Sequence, residues 1–347
     1  MRLSIIIPVY NVVKFLPRCL DSILEQDIAS DDYEILIIDD GSTDNSFDIA
    51  NAYSKKYANL KVHSKKNGGV GTARNLGVSY SKGNYIYFID PDDYLAKDVL
   101  KTLLEKIESN DLDIMTFISK RTTDQTLQHS ETKKPELGLS SILNGESYIA
   151  ENNYKNEVWW YIIKREFLLD SKIKFIEGRW MEDAILTARL FLKANRMAHF
   201  SIDAHRHLII EGSAMRNKEP SHYIKVIDDN KNAALVFETL IQSLIKKNAN
   251  SSCIKRLKTR QQSFIFFLMV RMLKSTINLK QVKTTIYEIS KTNAYPLNIF
   301  PGNDYQGIRY TLLTRLFNHK RAYYFIFRFF NPILKNKKGV YLLIIIR

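Results

Sequence analysis

The chain has 347 residues, of which 45% are apolar, and a formal charge of +14. This length and apolar content exclude a disordered chain and suffice for one large domain with an appendage or for two domains. The two cysteines, Cys19 and Cys253, lie far apart and match no metal-ligand spacing, so a disulfide framework and a zinc site are disfavoured and a reducing cytosol is expected.

The charge is distributed unevenly along the chain. Residues 246–347 contain 20 Lys and Arg against two acids, whereas residues 1–245 carry a net charge of −4. The N-terminal segment is too short in apolar length for a signal peptide, and no apolar run reaches the roughly 18 residues of a spanning helix. We therefore expect a separate function for each region and no membrane crossing.

Two β-α units open the chain. Leu3 to Val9 is an apolar, β-branched run typical of a central parallel strand. Asn11 is a candidate N-cap for the next helix, whose apolar side chains recur at helical spacing from Phe15 to Leu24. Glu34 to Asp40 repeats the strand pattern, and the turn Asp39-Asp40-Gly41-Ser42-Thr43-Asp44 leads into a second helix.

A glycine-rich segment follows the third predicted strand, Leu60 to His63. It reads Asn67-Gly68-Gly69-Val70-Gly71-Thr72-Ala73-Arg74-Asn75-Leu76-Gly77 and opens a helix, where backbone N–H groups and the Arg74 guanidinium suit a phosphate. It is not the dinucleotide fingerprint, because Arg74 stands where the third glycine should and the loop follows the third strand rather than the first. A nicotinamide oxidoreductase is therefore disfavoured.

The fourth predicted strand, Tyr85 to Ile89, ends in three carboxylates. Its β-branched and aromatic residues predict a strand covered on both faces, and Pro91 ends it. The carboxyl ends of strands are where open parallel sheets bind ligands. Two interpretations stay open: an Asp-x-Asp clamp of Asp90 and Asp92 that holds a divalent metal on a nucleotide diphosphate, or a turn in which Asp92 or Asp93 caps the next helix.

Strands and helices continue to alternate to about residue 118. We predict a helix from Ala96 to Ser109 and a strand from Asp113 to Ile118, which gives a doubly wound, mainly parallel sheet. Lys120 to Ser140 is polar and predicts an exposed loop or hairpin, and Ile173 to Ile176 predicts a short strand. Glu182 to Lys193 predicts a helix that starts with two acids, although acids also favour helix N-termini for dipole reasons alone.

Beyond about Pro220 the sequence is helical and basic. The predicted helices are Ile224 to Ile245, Arg256 to Leu273 and Leu279 to Ile289. Phe264 to Val270 is apolar all round, which indicates a core helix or a membrane-facing one. Arg321 to Phe330 mixes rings with cations and suits the headgroup layer of an anionic bilayer. A helical core with a basic outer face and a nucleic-acid interface are the alternatives, but no nucleic-acid motif is present.

Five motifs occur in a characteristic order and spacing. They are Ile7-Pro8-Val9-Tyr10-Asn11, Asp39-Asp40-Gly41-Ser42-Thr43-Asp44, Ala73-Arg74-Asn75-Leu76-Gly77, Asp90-Pro91-Asp92-Asp93 and Glu182-Asp183. Together they resemble the family 2 glycosyltransferases of the GT-A fold, a Rossmann-like sheet flanked by helices. The chain looks most similar to the bacterial enzymes that build capsule, exopolysaccharide or O-antigen repeats. The resemblance covers residues 1–98 closely and residues 159–213 more loosely.

The resemblance implies a nucleotide-sugar donor, most often a UDP-sugar. Pro8 and Tyr10 would line the base, and Asp40 would accept a hydrogen bond from the uracil ring. A site built on that hydrogen bond would reject a base that lacks the donor. Asp90 would face the ribose or the metal, and Arg74 would contact the diphosphate.

The resemblance also implies a metal and a base. Asp92 would bind Mn²⁺ or Mg²⁺, which stabilises negative charge on the leaving diphosphate. Asp183 would take the proton from the acceptor hydroxyl, and the anomeric centre would be inverted. Glu182 would support the base or bind the acceptor. Trp159 or Trp180 could stack on a sugar face, with a core-anchor role as the alternative for each.

The chain departs from the family pattern at two points. Where many relatives have Tyr-Arg-x-Arg before Glu-Gly-Ser, this chain has His205-Arg206-His207-Leu208-Ile209-Ile210-Glu211-Gly212-Ser213. Ile210 stands in place of an Arg, and Arg206 and Arg216 are the candidate substitutes. The Gln-x-x-Arg-Trp motif of processive synthases is absent, since Arg179-Trp180 lacks the Gln, so we expect one sugar per encounter.

We therefore expect a catalytic domain at residues 1–219, with a nucleotide-sugar half at 1–118 and an acceptor half at 119–219, and a basic helical region at 220–347. The expected activity is inverting transfer of one sugar to a growing, lipid-linked oligosaccharide in cell-surface polysaccharide synthesis. The protein is expected in the cytoplasm, on the inner face of an anionic membrane and without a nucleic-acid partner. A catalytically inactive nucleotide-sugar-binding partner or sensor of the same fold is the alternative.

Overall fold

A computed structural model describes residues 1–132, 138–210, 220–298 and 308–334 of the protein. The chain forms two compact units, Met1–Ser213 and Ala214–Arg347. The expected domain boundary between residues 219 and 220 stays a prediction, because residues 211–219 lie outside the described part of the chain.

In the part of the first unit that the structure describes, eight strands form a single sheet. They are β1 (Leu3–Val9), β2 (Tyr33–Asp39), β3 (Leu60–Ser64), β4 (Tyr85–Phe88), β5 (Tyr94–Leu95), β6 (Ile114–Thr122), β7 (Tyr161–Lys164) and β8 (Met197–Leu208). Their order is β3-β2-β1-β4-β7-β6-β8-β5. β7 runs antiparallel to β4 and β6, and β5 runs antiparallel to β8, whereas the other neighbours are parallel. The sheet is mainly parallel, as predicted.

In the described part of the first unit, seven α-helices accompany this sheet. They are α1 (Leu16–Leu24), α2 (Ser46–Lys56), α3 (Val70–Tyr80), α4 (Leu100–Ser109), α5 (Gly145–Glu151), α6 (Arg165–Ser171) and α7 (Glu182–Lys193). All seven residues of β1 are buried. Ile5 and Ile7 join the core cluster that contains Leu16 and Leu20 of α1, and Ile6 packs on Gly77 of α3 on the other face. Coverage of both faces explains why this strand is a continuous apolar run.

Asn11 does not cap the first helix. The N-cap residue of α1 is Phe15, and Asn11 has a φ of 53°. Asn11 Oδ1 accepts hydrogen bonds from the N–H groups of Thr43 at 2.8 Å and Asp44 at 3.3 Å. Asparagine tolerates the left-handed region and bonds to nearby backbone. Asn11, which the sequence predicts as a helix cap, instead connects the turn after β1 to the turn after β2 through these hydrogen bonds.

The predicted strand from Ile173 to Ile176 is wrong, because these residues pair with a side chain instead of a neighbouring strand. Phe175 N–H donates to Asn75 Oδ1 at 3.0 Å, and Asn75 Nδ2 donates to the Phe175 carbonyl at 3.0 Å. The amide of Asn75, which lies in α3, thus satisfies the main chain that a ladder would otherwise bind.

The helix predicted from Ala96 begins later, at Leu100. Tyr94–Leu95 forms β5 and pairs with β8. Gln26 Oε1 accepts hydrogen bonds from the N–H groups of Val99 at 3.0 Å and Leu100 at 3.1 Å. A side chain from outside the helix therefore fixes the start of α4.

The second unit is helical in its described part. Its helices are α8 (Pro220–Lys246), α9 (Ser251–Lys274), α10 (Leu279–Ile289), α11 (Ile308–Asn318) and α12 (Lys320–Leu334). The bounds predicted for α10 are confirmed, and Asn278 and Gln281 form a capping box at its start. All side chains from Phe264 to Val270 except Phe267 are buried, so this run of α9 is core. Among the described residues, no helix combines the length and apolar character that a bilayer span requires.

Gly145 provides a test of the packing between α5 and α7. A Cβ at this position would lie 1.4 Å from the Phe191 carbonyl oxygen, and the Gly145 N–H donates to the Ala194 carbonyl at 2.8 Å. We predict that Gly145→Ala lowers the free energy of unfolding by about 2 kcal/mol or more, because the backbone must move. Gly138→Ala, where the Cβ would meet open space, is the control and should change it by less than about 0.5 kcal/mol. Urea denaturation measures both, and equal losses would contradict the prediction.

Candidate active site

The residues predicted to bind the nucleotide follow three neighbouring strands. Pro8 is buried in β1, and Tyr10, just beyond it, is 48% exposed. Asp40 follows β2, and its N–H donates to the Val9 carbonyl at 2.8 Å. Asp90 lies just beyond β4, which pairs with β1 on the side opposite to β2. The structure thus brings these residues to one edge of the sheet, where open parallel sheets bind ligands.

The Asp40 carboxylate organises the loop before α3. It is buried, and it accepts hydrogen bonds from the N–H groups of Gly68 at 2.9 Å and Gly69 at 2.7 Å. Lys65 Nζ pairs with Asp40 and reaches Thr72 Oγ1 at 2.8 Å. Sequence reasoning missed Lys65, although its place directly after β3 puts it at the same sheet edge. Two carboxylate oxygens offer about four lone-pair sites, so Asp40 keeps acceptor capacity for the predicted base contact.

Arg74 joins three carboxylates that come from distant parts of the chain. It is 2% exposed in α3. Its Nη2 donates to Asp90 Oδ1 at 2.7 Å, and its Nη1 donates to Glu182 Oε1 at 3.1 Å and to Asp183 Oδ1. The guanidinium carbon lies 5.3 Å from the centre of the Phe175 ring. The structure therefore places Arg74 on carboxylates, and its contact with a diphosphate stays a prediction.

Glu182 and Asp183 occupy the first turn of α7, so their charges also meet the positive end of the helix dipole. The dipole interpretation of this acidic pair therefore applies, and its role in the site stays a prediction. Burial raises the pKa of Asp183 well above its usual range, although the nearby Arg74 opposes the shift. Burial also raises the pKa of Glu182. A carboxyl group with a raised pKa is suited to accept a proton from a hydroxyl.

Three carboxylates crowd together after β4. Asp90, Asp92 and Asp93 place oxygen atoms within 4.8 Å of one another. Burial, together with the charges of Asp90 and Asp93, raises the pKa of Asp92 to about 7. A divalent cation favours the ionised form of such a group, and carboxylate oxygens are suitable ligands for Mg²⁺ or Mn²⁺. The residues present therefore fit the metal that the sequence predicts at Asp92.

Asp93 anchors this acidic segment to β8. It is fully buried, and it accepts a hydrogen bond from the Leu208 N–H at 2.9 Å. His205 Nε2 and His207 Nδ1 each lie 3.2 Å from one of its oxygens. Burial alone would raise the pKa of Asp93, but the two histidines lower it to about 2. The alternative in which Asp92 or Asp93 caps the next helix is wrong, since another side chain holds the start of α4.

The two tryptophans occupy different environments. Trp159 is 4% exposed and stacks on His205 and His207, with ring centres 4.7 Å and 5.1 Å apart. Its surroundings correspond to the core-anchor alternative rather than to an open sugar platform. Trp180 is half-buried in the segment that precedes α7. Sugar stacking by Trp180 stays a prediction.

Arg206 does not stand in for the Arg that is replaced by Ile210. It is fully buried, and its guanidinium donates to both Asp203 carboxylate oxygens at 2.7 Å and 3.0 Å and to the His129 carbonyl at 2.7 Å. The N–H groups of Arg206 are therefore used in hydrogen bonds that hold β8 in place. The remainder of the departing motif, Glu211 to Ser213, and the other candidate, Arg216, lie outside the described residues.

Comparison with known proteins identifies the segment that carries part of this site. A family model described as glycosyl transferase family 2 matches residues 4–176. The matched segment includes Asp40, Arg74 and the three carboxylates after β4. The chain belongs to this family.

Relatives within the family support the match. The glycosyltransferase EpsJ of Bacillus subtilis is 33% identical over 202 residues, which make up 56% of this chain and 57% of EpsJ. The poly(ribitol-phosphate) β-N-acetylglucosaminyltransferase TarS of Staphylococcus aureus is 30% identical over 210 residues, which make up 59% of this chain and 35% of TarS. The chain thus spans less than two thirds of the length of both relatives.

Solved structures show the fold of this family 2 member. TarS residues 1–349 in complex with UDP-GlcNAc match with a TM-score of 0.64 and 22% identity, over 96% of this chain and 90% of that chain. The mannosyltransferase PcManGT of Pyrobaculum calidifontis, in complex with GDP-Man and Mn²⁺, matches with a TM-score of 0.52 and 14% identity, over 95% and 87% of the two chains. The predicted GT-A fold is confirmed.

The buried charges of this family 2 domain predict a pH-dependent loss of stability in Arg74→Met. Burial already raises the folded-state pKa values of Glu182 and Asp183, and without the guanidinium they rise further above their unfolded values. Stability is then retained where these groups are protonated and lost as the pH rises through their folded-state pKa values. We expect a loss of about 3 kcal/mol at pH 8 and a smaller loss at pH 5.

Urea denaturation at the two pH values measures this difference. Arg165→Met is the matched control, because Arg165 is half-buried and its Nε donates to the Ser81 hydroxyl rather than to a carboxylate. Its effect should not depend on pH. A loss in Arg74→Met that is the same at pH 5 and pH 8 would show that the carboxylates do not depend on Arg74.

Proposed function

We propose that the protein is an inverting, non-processive glycosyltransferase that moves one sugar from a UDP-sugar to a hydroxyl of a growing, lipid-linked oligosaccharide. The product would belong to a cell-surface polysaccharide such as a capsule or exopolysaccharide. Family membership supports the transferase activity, and the complex of TarS with UDP-GlcNAc supports a UDP-sugar donor. The protein would act in the cytoplasm, at the inner face of an anionic membrane.

One observation carries the proposal. Arg74 connects Asp90, at the edge of the sheet where the nucleotide is expected, to Asp183 at the start of α7. The connection holds a donor-side carboxylate and the candidate base on one buried guanidinium. A fixed relation between donor and base is what a single displacement requires, since the reacting atoms must be aligned before the bond forms.

Asp183 is the proposed general base. As the acceptor oxygen bonds to the anomeric carbon, its proton passes to the Asp183 carboxylate. The bond between the anomeric carbon and the diphosphate oxygen breaks, and its electron pair leaves with the nucleotide diphosphate. Attack opposite the leaving group inverts the anomeric centre, and this route needs no nucleophile from the protein. Glu182 supports the base through their shared contact with Arg74.

The nucleotide would lie against the ends of β1, β2 and β4. Pro8 and Tyr10 would line the base, Asp40 would accept from the uracil imide, and Asp90 would face the ribose or the metal. The bonds from Gly68 and Gly69 to Asp40 hold this carboxylate in place before any ligand arrives. Preorganised groups of this kind cost little to reorganise during the reaction.

Asp92 would hold the metal, Mn²⁺ or Mg²⁺. When bound, the metal supplies positive charge that stabilises the leaving diphosphate. The raised pKa of Asp92 supports this assignment, because the carboxylate lies among like charges and the structure describes no cation paired with it.

Ligand-induced stabilisation tests the donor site. We predict that UDP with Mn²⁺ raises the thermal midpoint of the protein, because ligands that prefer the folded state stabilise it by about 2.7 kcal/mol at 100 times the dissociation constant. The shift should disappear in Asp92→Ala and persist in Glu105→Ala, which removes an exposed acid from α4.

Other nucleotides separate the remaining possibilities. A shift with GDP or dTDP instead of UDP would retain the transferase class and overturn the assignment of uracil as the base of the donor nucleotide. Stabilisation by UDP that does not require Mn²⁺ or Asp92 would remove the metal site. The absence of a shift with any nucleotide would favour an inactive partner of the same fold.

Substitution of the proposed general base, Asp183, distinguishes catalysis from donor binding. We predict that Asp183→Asn lowers the rate of sugar transfer by about 10² to 10⁴-fold while leaving the UDP-dependent thermal shift nearly intact, since the amide cannot accept the proton but keeps the shape of the side chain. Asp170→Asn, an exposed acid in α6, is the control and should change neither quantity. If the protein is only a binding partner or sensor, Asp183→Asn causes no loss of sugar transfer.

The same reaction should depend on pH through Asp183. Because the base must be ionised and burial raises its pKa, the rate is expected to fall as the pH drops through a value well above the ordinary carboxyl range of about 4. Initial rates between pH 4 and pH 9 measure this fall. If the residual activity of Asp183→Asn shows the same fall with pH, a group other than Asp183 causes it.

A further inference from the structure

α12 divides its apolar side chains between two opposite faces. Tyr323, Phe327 and Asn331 are buried on one face, at a spacing of four residues. Phe325, Phe329 and Ile333 are 61%, 56% and 50% exposed and follow the same spacing on the other. Residues four apart lie on one side of a helix, so the exposed three form a continuous stripe, here called the α12 stripe.

The α12 stripe is a built surface rather than scattered exposed residues. The rings of Phe325 and Phe329 lie with their centres 4.4 Å apart, at an interplanar angle of 42°. The opposite face of the helix is anchored, since Tyr323 Oη donates to the Met269 carbonyl at 2.8 Å and Asn331 Nδ2 donates to the Ser275 carbonyl at 2.7 Å. These bonds to the end of α9 keep the stripe turned outward.

The charged side chains of α11 and α12 have a single sign. Residues 308–334 contain five Lys and Arg and no Asp or Glu. Arg321 and Arg328 of α12 are both exposed, and at 100° per residue they fall on one flank of the stripe. An apolar stripe bordered by cations complements a surface that is apolar inside and negatively charged at its border.

We propose that the α12 stripe docks on an anionic lipid bilayer, with the helix lying in the plane of the membrane. Phe325, Phe329 and Ile333 enter the boundary between headgroups and acyl chains, and Arg321 and Arg328 extend to the lipid phosphates. The inference deepens the proposed function, on which it rests for the lipid-linked acceptor. It names the surface that brings the transferase to the membrane.

Co-flotation with lipid vesicles tests the inference on the full chain. Vesicles of phosphatidylcholine with about a third phosphatidylglycerol should bind the protein, and pure phosphatidylcholine should bind it more weakly, because each cation near an anionic surface adds to binding. Phe325→Ser with Phe329→Ser should lower partitioning by about tenfold or more. Arg321→Gln with Arg328→Gln should lower it on anionic vesicles and leave it nearly unchanged on neutral ones.

Matched controls come from exposed residues of the first unit. Leu169→Ser replaces an apolar side chain that is 43% exposed, and Lys101→Gln replaces an exposed cation on α4. Neither should alter partitioning. Circular dichroism and the thermal midpoint of each variant show whether the chain is folded, and a milder Phe329→Tyr variant should retain most of the binding.

Each contrary outcome overturns the inference. Full flotation of the double Phe variant excludes the stripe as the docking surface, as does flotation that is lost only when residues 335–347 are removed. A variant that changes from oligomer to monomer in size-exclusion chromatography without losing flotation assigns the stripe to a second copy of the chain. The UDP and Mn²⁺ thermal shift is measured on the same samples, so failure of the donor site is distinguished from failure of the docking surface.

Discussion

The Arg74 guanidinium lies in the protein interior among three carboxylates, and the arrangement of the candidate active site depends on this contact. The segment after β4 and the first turn of α7 each bring negative charge to the same place, and without a cation between them they would repel in a poorly solvated environment. A planar fork of donors can bind carboxylates from two directions, which a single ammonium group does less well. One side chain of α3 thus fixes how the edge of the sheet and the N-terminus of α7 are joined.

Neighbouring carboxylates in the same segment have opposite electrostatic environments. Asp93 is fixed by β8, and its two histidines keep it ionised with a pKa near 2, whereas Asp92 is left among like charges with a pKa of about 7. A separation of this kind suits adjacent titratable groups to different tasks. Asp93 holds the backbone of the segment in place, and Asp92 remains available to a ligand. The two histidines therefore contribute to the site by occupying Asp93, while Trp159 packs against both of their rings.

Local sequence patterns predicted the elements that carry a strong periodic signal. β1, β2, α7 and α10 were predicted from continuous apolar runs, helical spacing and helix-start residues. The misassignments occur where a side chain from elsewhere satisfies the backbone, as Asn75 does for Phe175 and Gln26 does for the start of α4. Arg74 was a candidate from its motif, but its contact with Glu182 joins residues 108 positions apart, and no local pattern encodes such a partner. Local sequence patterns therefore indicated which residues to consider for the candidate site, but only the fold shows which of them contact one another.

Composition alone left the aromatic, basic end of the chain open between a helical core and a membrane surface, and α12 explains why that ambiguity could not be resolved from the sequence. Its rings fall on two faces of one helix: Tyr323 and Phe327 pack inside the unit, and Phe325 and Phe329 face outward. A shift of two residues in a helix turns a side chain by about 200°, so the same composition serves both purposes. Core packing and the proposed lipid surface are therefore not competing descriptions of this segment. The buried face holds the helix in position, and that position determines which rings and cations the outer face presents.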